Sequence, residues 1–357
     1  MLQEQNRCDD HSQHNHHHYG ANAKRVNLAL QGGGAHGAFT WGVLDRLLED
    51  DSFEIEGISA TSAGAMNATV TAYGLAQGGP AGARKALDNF WRRIAHAGAT
   101  SPLQPTPLER LFGTRPETSA SFIWFDFMSR LFSPYQFNPL NWNPLRKVLE
   151  QSVDLEAVRS HCCPVKLFLS ATNVRSGRIK VFDNDSLSID AVLASGCLPF
   201  LFQAVEIDGE AYWDGGYMGN PAIFPLIYHC GTEDVLVVHV NPIERPEIPK
   251  TAPEILNRIN EISFNSSLMR EMRAIDFVTR LIDEDHIKDM RLKRMRLHAI
   301  SDETAMRALS VTSKLNADLD FLLALKAQGR KAGEAWLARH WAQVGRESTV
   351  DLRHAYL

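Results

Sequence analysis

The chain has 357 residues, 44% hydrophobic and 22% charged, an ordinary globular composition with room for one large domain or two modest ones. A net charge of −5 and a pI near 6.3 exclude the global basic field that draws nucleic acid or a strongly anionic membrane. The five cysteines (Cys8, Cys162, Cys163, Cys197, Cys230) are odd in number with one adjacent pair, so no disulfide framework or structural zinc site is expected and a reducing compartment fits.

Residues 1–23, with His11, His14 and His16 to His18, form a polar leader with almost nothing to bury. It lacks the basic start and apolar stretch of a signal peptide, and no later apolar run has the length of a membrane span. Order is expected from Lys24. "RVNLALQ" is a β-rich apolar run, "GGGAHG" a glycine loop, and "AFTWGVLDRLLED" a helix with Phe39, Val43, Leu44, Leu47 and Leu48 on one face. "FEIEGISAT" is the next strand, and "SAGAMNATVTAYG" a helix of small residues that should stop at Gly74. Strand, glycine loop, helix, strand, tight turn and helix make an α/β pattern with a parallel sheet.

A further helix follows, and then a stretch from about residue 100 to 145 rich in proline and aromatics, read as an insertion outside the sheet. Its aromatics, among them Trp124, Phe125 and Trp142, form either a satellite core or an interfacial lid. "PVKLFLSATNV" is a buried strand, "GRIKVFDN" an antiparallel one, and "SIDAVLASGCLPF" a short helix running into a turn. "AVEIDGEAYWDGG" is a hairpin with Asp208-Gly209 at its tip. "DVLVVHVNP" is expected as the last core strand, closing a unit that spans 24–245. Residues 246–357 read as a mainly helical extension packed on the same domain. It has an amphipathic helix from Pro253 to Glu284 (Ile255, Ile259, Ile262, Leu268, Ile275, Val278), a strand-like "RMRLHAI", and helix from Thr304 to Val344.

Three motifs carry chemistry. In "QGGGAHG", Gly32, Gly34 and Gly37 fit G-x-G-x-x-G between a strand and a helix, which suits a dinucleotide. That use needs an acid at the carboxyl end of the second strand, yet Glu54 and Glu56 lie near its other end. The same bare N–H groups can hold an oxyanion. In "ATSAG", Ser62 sits where a nucleophile elbow G-x-S-x-G would place it, with Ala60 for the first glycine and Gly64 kept. In "YWDGG", Asp214 ends a strand before Gly215 and Gly216. A histidine base would have to come from His161, His229, His239 or His298, and none has a distinguishing context; each reads as a structural histidine.

Together and in this order, the motifs resemble the patatin-like acyl hydrolases over roughly residues 26 to 240. "ASGCLPFLFQAVEIDGEAYWDGG" and "NPAIFPL" resemble the family's segments around its aspartate, and the 152 residues between Ser62 and Asp214 suit it. The resemblance implies a three-layer α/β/α fold with a mostly parallel central sheet. It implies Ser62 as nucleophile, Asp214 as base, and Gly32, Gly33 and Gly34 as oxyanion hole, supported by Ala35, His36, Gly37, Gly64, Gly215 and Gly216. His36 stands where the family usually has Arg or Lys, and Ala60 where it has glycine.

The implied function is a serine acyl hydrolase of phospholipase A or lysophospholipase type, needing no cofactor or metal. It would act on lipid or a membrane surface, in the cytoplasm or peripherally on the inner membrane face, with no nucleic acid as partner. Two alternatives stay open: a nucleotide-binding oxidoreductase using the glycine loop, and an inactive lipid-binding protein.

Overall fold

Strand β1 (Lys24–Leu30) sits mid-sheet because it is apolar on both faces: Val26, Leu28 and Leu30 enter one core and Ala29 the other. The computed structural model describes residues 23–49, 52–99, 132–286, 292–310 and 312–357. The other strands are β2 (Phe53–Ala60), β3 (Lys166–Asn173), β4 (Ile179–Phe182), β5 (Val205–Ile207), β6 (Glu210–Asp214), β7 (Asp234–Val238) and β8 (Arg296–Ile300). The helices are α1 (Gly37–Leu47), α2 (Ala63–Ala99), α3 (Pro134–Phe137), α4 (Pro144–Ser152), α5 (Leu155–Arg159), α6 (Ile189–Ser195), α7 (Phe224–His229), α8 (Ala252–Asp283), α9 (Glu303–Arg307), α10 (Leu319–His340) and α11 (Leu352–Tyr356).

β3, β2, β1, β7 and β8 run parallel in that spatial order, and β4, β5 and β6 add antiparallel pairings beyond them. Alternation along β7 sends Leu236 and Val238 to the first core and Val235 and Val237 to the second. Helices α1, α2 and α10 cover the first face, and α7, α8 and α11 the second. The result is the expected three-layer α/β/α arrangement with a mostly parallel sheet.

The register of β3 explains how distant parts of the chain meet. Leu169 pairs with Ala60 of β2 and with Phe182 of β4, so those strands lie on opposite edges of β3. Ala171 pairs with Lys180 of β4 and with Asp214 of β6, which puts β6 on the same edge as β2. Parallel β2 and antiparallel β6 therefore meet carboxyl end to carboxyl end along one edge. Asp214 arrives two β3 positions beyond Ala60.

Several sequence expectations change. The helix after Ser62 does not stop at Gly74 but runs on to Ala99, broken only where Gly78 and Gly79 leave helical geometry. β7 is not the last core strand, because "RMRLHAI" pairs with it in parallel as β8. The 304–344 region is two helices joined through a 3-10 turn at Thr312–Leu315. α8 forms as expected, opened by a Thr251–Glu254 capping box. Its apolar residues fall on opposite faces: Leu268, Met272 and Ile275 are buried in line with Asn257, Glu261 and Asn265, whereas Ile255, Ile259 and Ile262 are exposed. Cys162 is disulfide-bonded, and Cys163, Cys197 and Cys230 are free. The leader up to residue 22 and the aromatics from Phe122 to Phe127 lie outside the described residues.

Candidate active site

Ser62 falls between the end of β2 and the first residue of α2 with φ of +56°, a left-handed conformation that side chains other than glycine avoid. Small neighbours make the turn possible. A Cβ on Gly64 would strike the Leu30 carbonyl, one on Gly32 would lie 2.6 Å from Ser62 Cβ, and one on Gly37 2.8 Å from Ala63 Cβ. The Ser62 N–H donates to Ser195 Oγ (3.0 Å) and Thr61 Oγ1 to the Gly219 carbonyl (2.6 Å), fixing the elbow from two sides. Ala60 keeps strand register with Leu30 and Leu169, so the residue that replaces the elbow glycine is absorbed within β2.

Asp214 is 1% exposed. Its Oδ1 accepts from Gly216 N (2.7 Å), and Gly215 is needed because a Cβ there would run into the Ser170 carbonyl. Burial pushes the carboxyl up to about 7, against the pull of the Gly216 N–H, the Ser62 hydroxyl and the Lys314 charge. Oδ2 is buried, and among the described residues it has no hydrogen-bond partner of ordinary geometry. The Ser62 hydroxyl is near enough to favour the carboxylate without a tight bond to it.

The glycine loop follows β1. The Gly32 N–H is occupied, donating to Asn220 Oδ1 (2.7 Å), so it differs from its neighbours in the predicted oxyanion trio. Gly33 and Gly34 line the cavity beside Ser62, and among the described residues their N–H groups have no protein acceptor. Gly34 has φ of +59°. Ala35 and His36 complete a 3-10 turn into α1. His36 Nε2 pairs with Ser313 Oγ at 2.8 Å, and burial, aided by the Lys314 and Arg245 charges, drives it down to about 3, so it is a neutral packing residue.

These groups open into a cavity of about 290 Å³, lined by apolar side chains including Met66, Phe90, Trp91 and Phe202. Among the described residues no histidine lines it. His239 pairs with the Tyr356 hydroxyl (2.6 Å), His298 with Asp234 (3.0 Å) and Thr349 (3.1 Å), and His229 stacks on Phe168. The acids a ribose would need are also engaged elsewhere: Glu54 pairs with Arg25, and Glu56 accepts from Gly231 N and Thr232 N. Among the described residues there is no cluster of three or more potential metal ligands, and no helix long and apolar enough to cross a membrane.

Sequence reasoning missed the residues that hold the loop: Gln31, Asn220, Asn241 and Lys314. Gln31 Oε1 accepts from Val240 N (3.0 Å) and Asn241 N (3.1 Å), tying the end of β1 to the end of β7. Gln31, at the head of "QGGGAHG", and Asn220, in the segment just after Asp214, stand in segments with a sequence signal; Asn241 and Lys314 do not.

Residues 28–227 match the family described as patatin-like phospholipase. No curated protein matches the chain. Among solved structures it is similar to VipD from Legionella pneumophila, with 15% identity and a TM-score of 0.36 over 87% of this chain and 68% of that one. It is also similar to a structure of full-length SpcU in complex with full-length ExoU from Pseudomonas aeruginosa, with 16% identity and a TM-score of 0.28 over 94% and 77%. These likenesses are too slight to add to the domain match. On that match, which takes in β1 onward to α7, the chain belongs to the patatin-like phospholipase family and is, at that level, a lipid hydrolase.

Proposed function

We propose that the chain cleaves carboxylic esters of lipids, as a phospholipase A or lysophospholipase, by a Ser62–Asp214 dyad through an acyl-serine. One observation carries the reading: Ser62, at positive φ, and a buried carboxylate whose Oδ2 has no hydrogen-bond partner among the described residues together line an apolar cavity. In acylation, Ser62 Oγ attacks the ester carbonyl and its proton passes to Asp214. The Gly33 and Gly34 N–H groups, at the positive end of the turn into α1, take the charge that develops on the carbonyl oxygen. The protonated Asp214 then gives its proton to the departing alcohol. Water attacks the acyl-serine with Asp214 again as base, and the acid leaves as the proton returns to Oγ. A carboxyl near 7 suits both directions of transfer near neutral pH.

The cavity takes an acyl chain, and its mouth carries Trp142, 65% exposed, with Leu140, 91% exposed, close by in sequence. Such a rim fits a peripheral encounter with a bilayer, from the cytoplasmic side, and leaves the headgroup outside.

The test compares wild type with Ser62→Ala on p-nitrophenyl butyrate and on phospholipid vesicles, with released fatty acid and lysolipid measured by mass spectrometry. Wild type should release both products from vesicles, and the variant should fall to background on either substrate while keeping its far-UV spectrum. Hydrolysis that persists in Ser62→Ala would overturn the dyad.

A further inference from the structure

The glycine loop is tethered from a part of the chain that no motif reaches. Gly32 is pinned on both sides: its N–H donates to Asn220 Oδ1 (2.7 Å), and its carbonyl accepts from Asn241 Nδ2 (2.6 Å). Asn241 Oδ1 accepts in turn from Lys314 Nζ (2.9 Å). Lys314 stands on the 3-10 turn Thr312–Leu315, and its own carbonyl lies so close to Gly34 that a Cβ there would collide with it. Turn and loop thus touch through backbone and side chain together.

Lys314 also lines the cavity with Gly33, Gly34, Ser62 and Asp214, and among the described residues lining it Lys314 is the only cation. Glu261 and Asp214 are the acids whose charges act on it. The Glu261 carboxylate is also held by Arg245 (2.7 and 2.9 Å), Arg258 (3.3 Å) and Asn257 (3.1 Å), and so is shared among several cations and donors. A unit charge on the wall of a water-poor cavity acts on its neighbours far more strongly than in bulk water.

We propose that Lys314 is a positioning residue for ester cleavage: through Asn241 it fixes the Gly32 peptide and so the aim of the Gly33 and Gly34 N–H groups, and its ammonium is the positive counter-charge of the cavity. The inference rests on the Ser62–Asp214 reading. It has a pH signature. Asp214 is faced by the Ser62 hydroxyl, the Gly216 N–H, the Cys197 thiol, the Tyr217 phenol and Lys314. Burial holds Cys197 and Tyr217 up at about 12, so both are neutral near pH 7. Lys314 itself is faced by Glu261, Arg245 and Asp214, and by His36, which is neutral there; burial and the Arg245 charge push its ammonium down, and the Glu261 and Asp214 charges hold it up. Its charge favours ionised Asp214, so losing that charge should move the acid limb of activity to higher pH.

The experiment measures kcat and KM on p-nitrophenyl butyrate across pH for the full chain and for Lys314→Met, Lys314→Arg, Asn241→Ala and Ser62→Ala. Lys314→Met should lose about tenfold or more in kcat with KM changed less than about twofold, and its acid limb should rise. Lys314→Arg should restore the limb and part of kcat. Asn241→Ala should lower kcat without moving the limb, since the ammonium stays. Wild-type kcat and limb in Lys314→Met overturn the proposal. So do equal losses in Met and Arg variants with a lowered Tm, which mark a packing role. If Lys314→Met does not fold, wild-type kcat in Asn241→Ala overturns it alone. Activity that survives in Ser62→Ala sinks the dyad and this inference together, whereas a dead Ser62→Ala beside an unaffected Lys314→Met sinks this inference only.

Discussion

Ser62 is held where alanine is as unwelcome as serine. A left-handed residue other than glycine costs about 1–2 kcal/mol, offset only in part by the greater freedom glycine has in the unfolded chain. Ser62→Gly should therefore melt above Ser62→Ala, by about 1 kcal/mol in denaturant titrations, while both are inactive; equal stabilities would mean the turn is unstrained. Asp214 makes the opposite trade. Its carboxyl is held up at about 7 in the fold, against an ordinary 3.8, so the folded chain keeps a proton that the unfolded chain releases. Stability from this group is complete below about pH 4 and declines as pH rises through 7. Asp214→Asn escapes the decline. It should abolish turnover yet gain in Tm over wild type by a few degrees at pH 8 and by little at pH 4. Glu271, also raised to about 7 by burial, titrates alike in both proteins and cancels in the comparison. In wild type, kcat/KM should rise with pH toward a limb near 7, the mark of a base that must be ionised. The turns at Ser62 and Asp214 could be read from the sequence because a left-handed turn and a close backbone approach both demand small neighbours, and "ATSAG" and "DGG" display them. Lys314 and Asn241 could not, because they sit in irregular segments whose only signal is three-dimensional.

At the scale of elements, the tightest junction is between α1 and α10. Cβ atoms on Gly42 or Gly329 would overlap the Lys326 and Phe39 carbonyls respectively, so bare backbones meet there. Gly329→Val should cost about 2–3 kcal/mol by forcing the helices apart. Labelling of Ser62 by a fluorophosphonate, per folded molecule, should stay unchanged; a matching loss of labelling would show that α10 also shapes the site. A second junction is Glu271, whose Oε2 accepts from Ile223 N and Phe224 N (2.8 Å each) and so seats α7 on α8. Glu271→Leu strands two buried donors and should destabilise by about 2–3 kcal/mol, whereas Glu271→Gln, which keeps an acceptor, should be milder. Urea midpoints that rank the two alike would remove this role. The hairpin at Asp208-Gly209 was legible because both residues adopt positive φ, at +52° and +77°, as those residue types allow. The division of α8 was not. Periodicity sets Ile255, Ile259 and Ile262 on the face opposite Leu268, but it does not record that the polar line of Asn257, Glu261 and Asn265 is the one that is buried.

For the whole molecule, the alternation of apolar residues in β1 and β7 made the layered fold legible, whereas the strand order was not, since β8 arrives from a region dominated by helical pattern. The rim of the cavity bears on how substrate is reached. Trp142→Ala combined with Leu140→Ala should reduce hydrolysis of vesicles about tenfold or more and leave p-nitrophenyl butyrate within about twofold, with less protein co-sedimenting with liposomes. Equal losses on both substrates would place those side chains in the scaffold. The meeting of β2 and β6 on one edge of β3 has a consequence for when the enzyme comes to life. The seam that delivers Asp214 is three residues long, Ala171–Asn173 against Tyr212–Asp214. A slip of one residue there would turn the carboxylate to the opposite face of the sheet and take Tyr212 out of the first core with it. One register therefore serves packing and chemistry together: a copy whose seam has closed wrongly loses the Tyr212 contact and the placement of Asp214 at a stroke, and so has neither a finished fold nor a finished site.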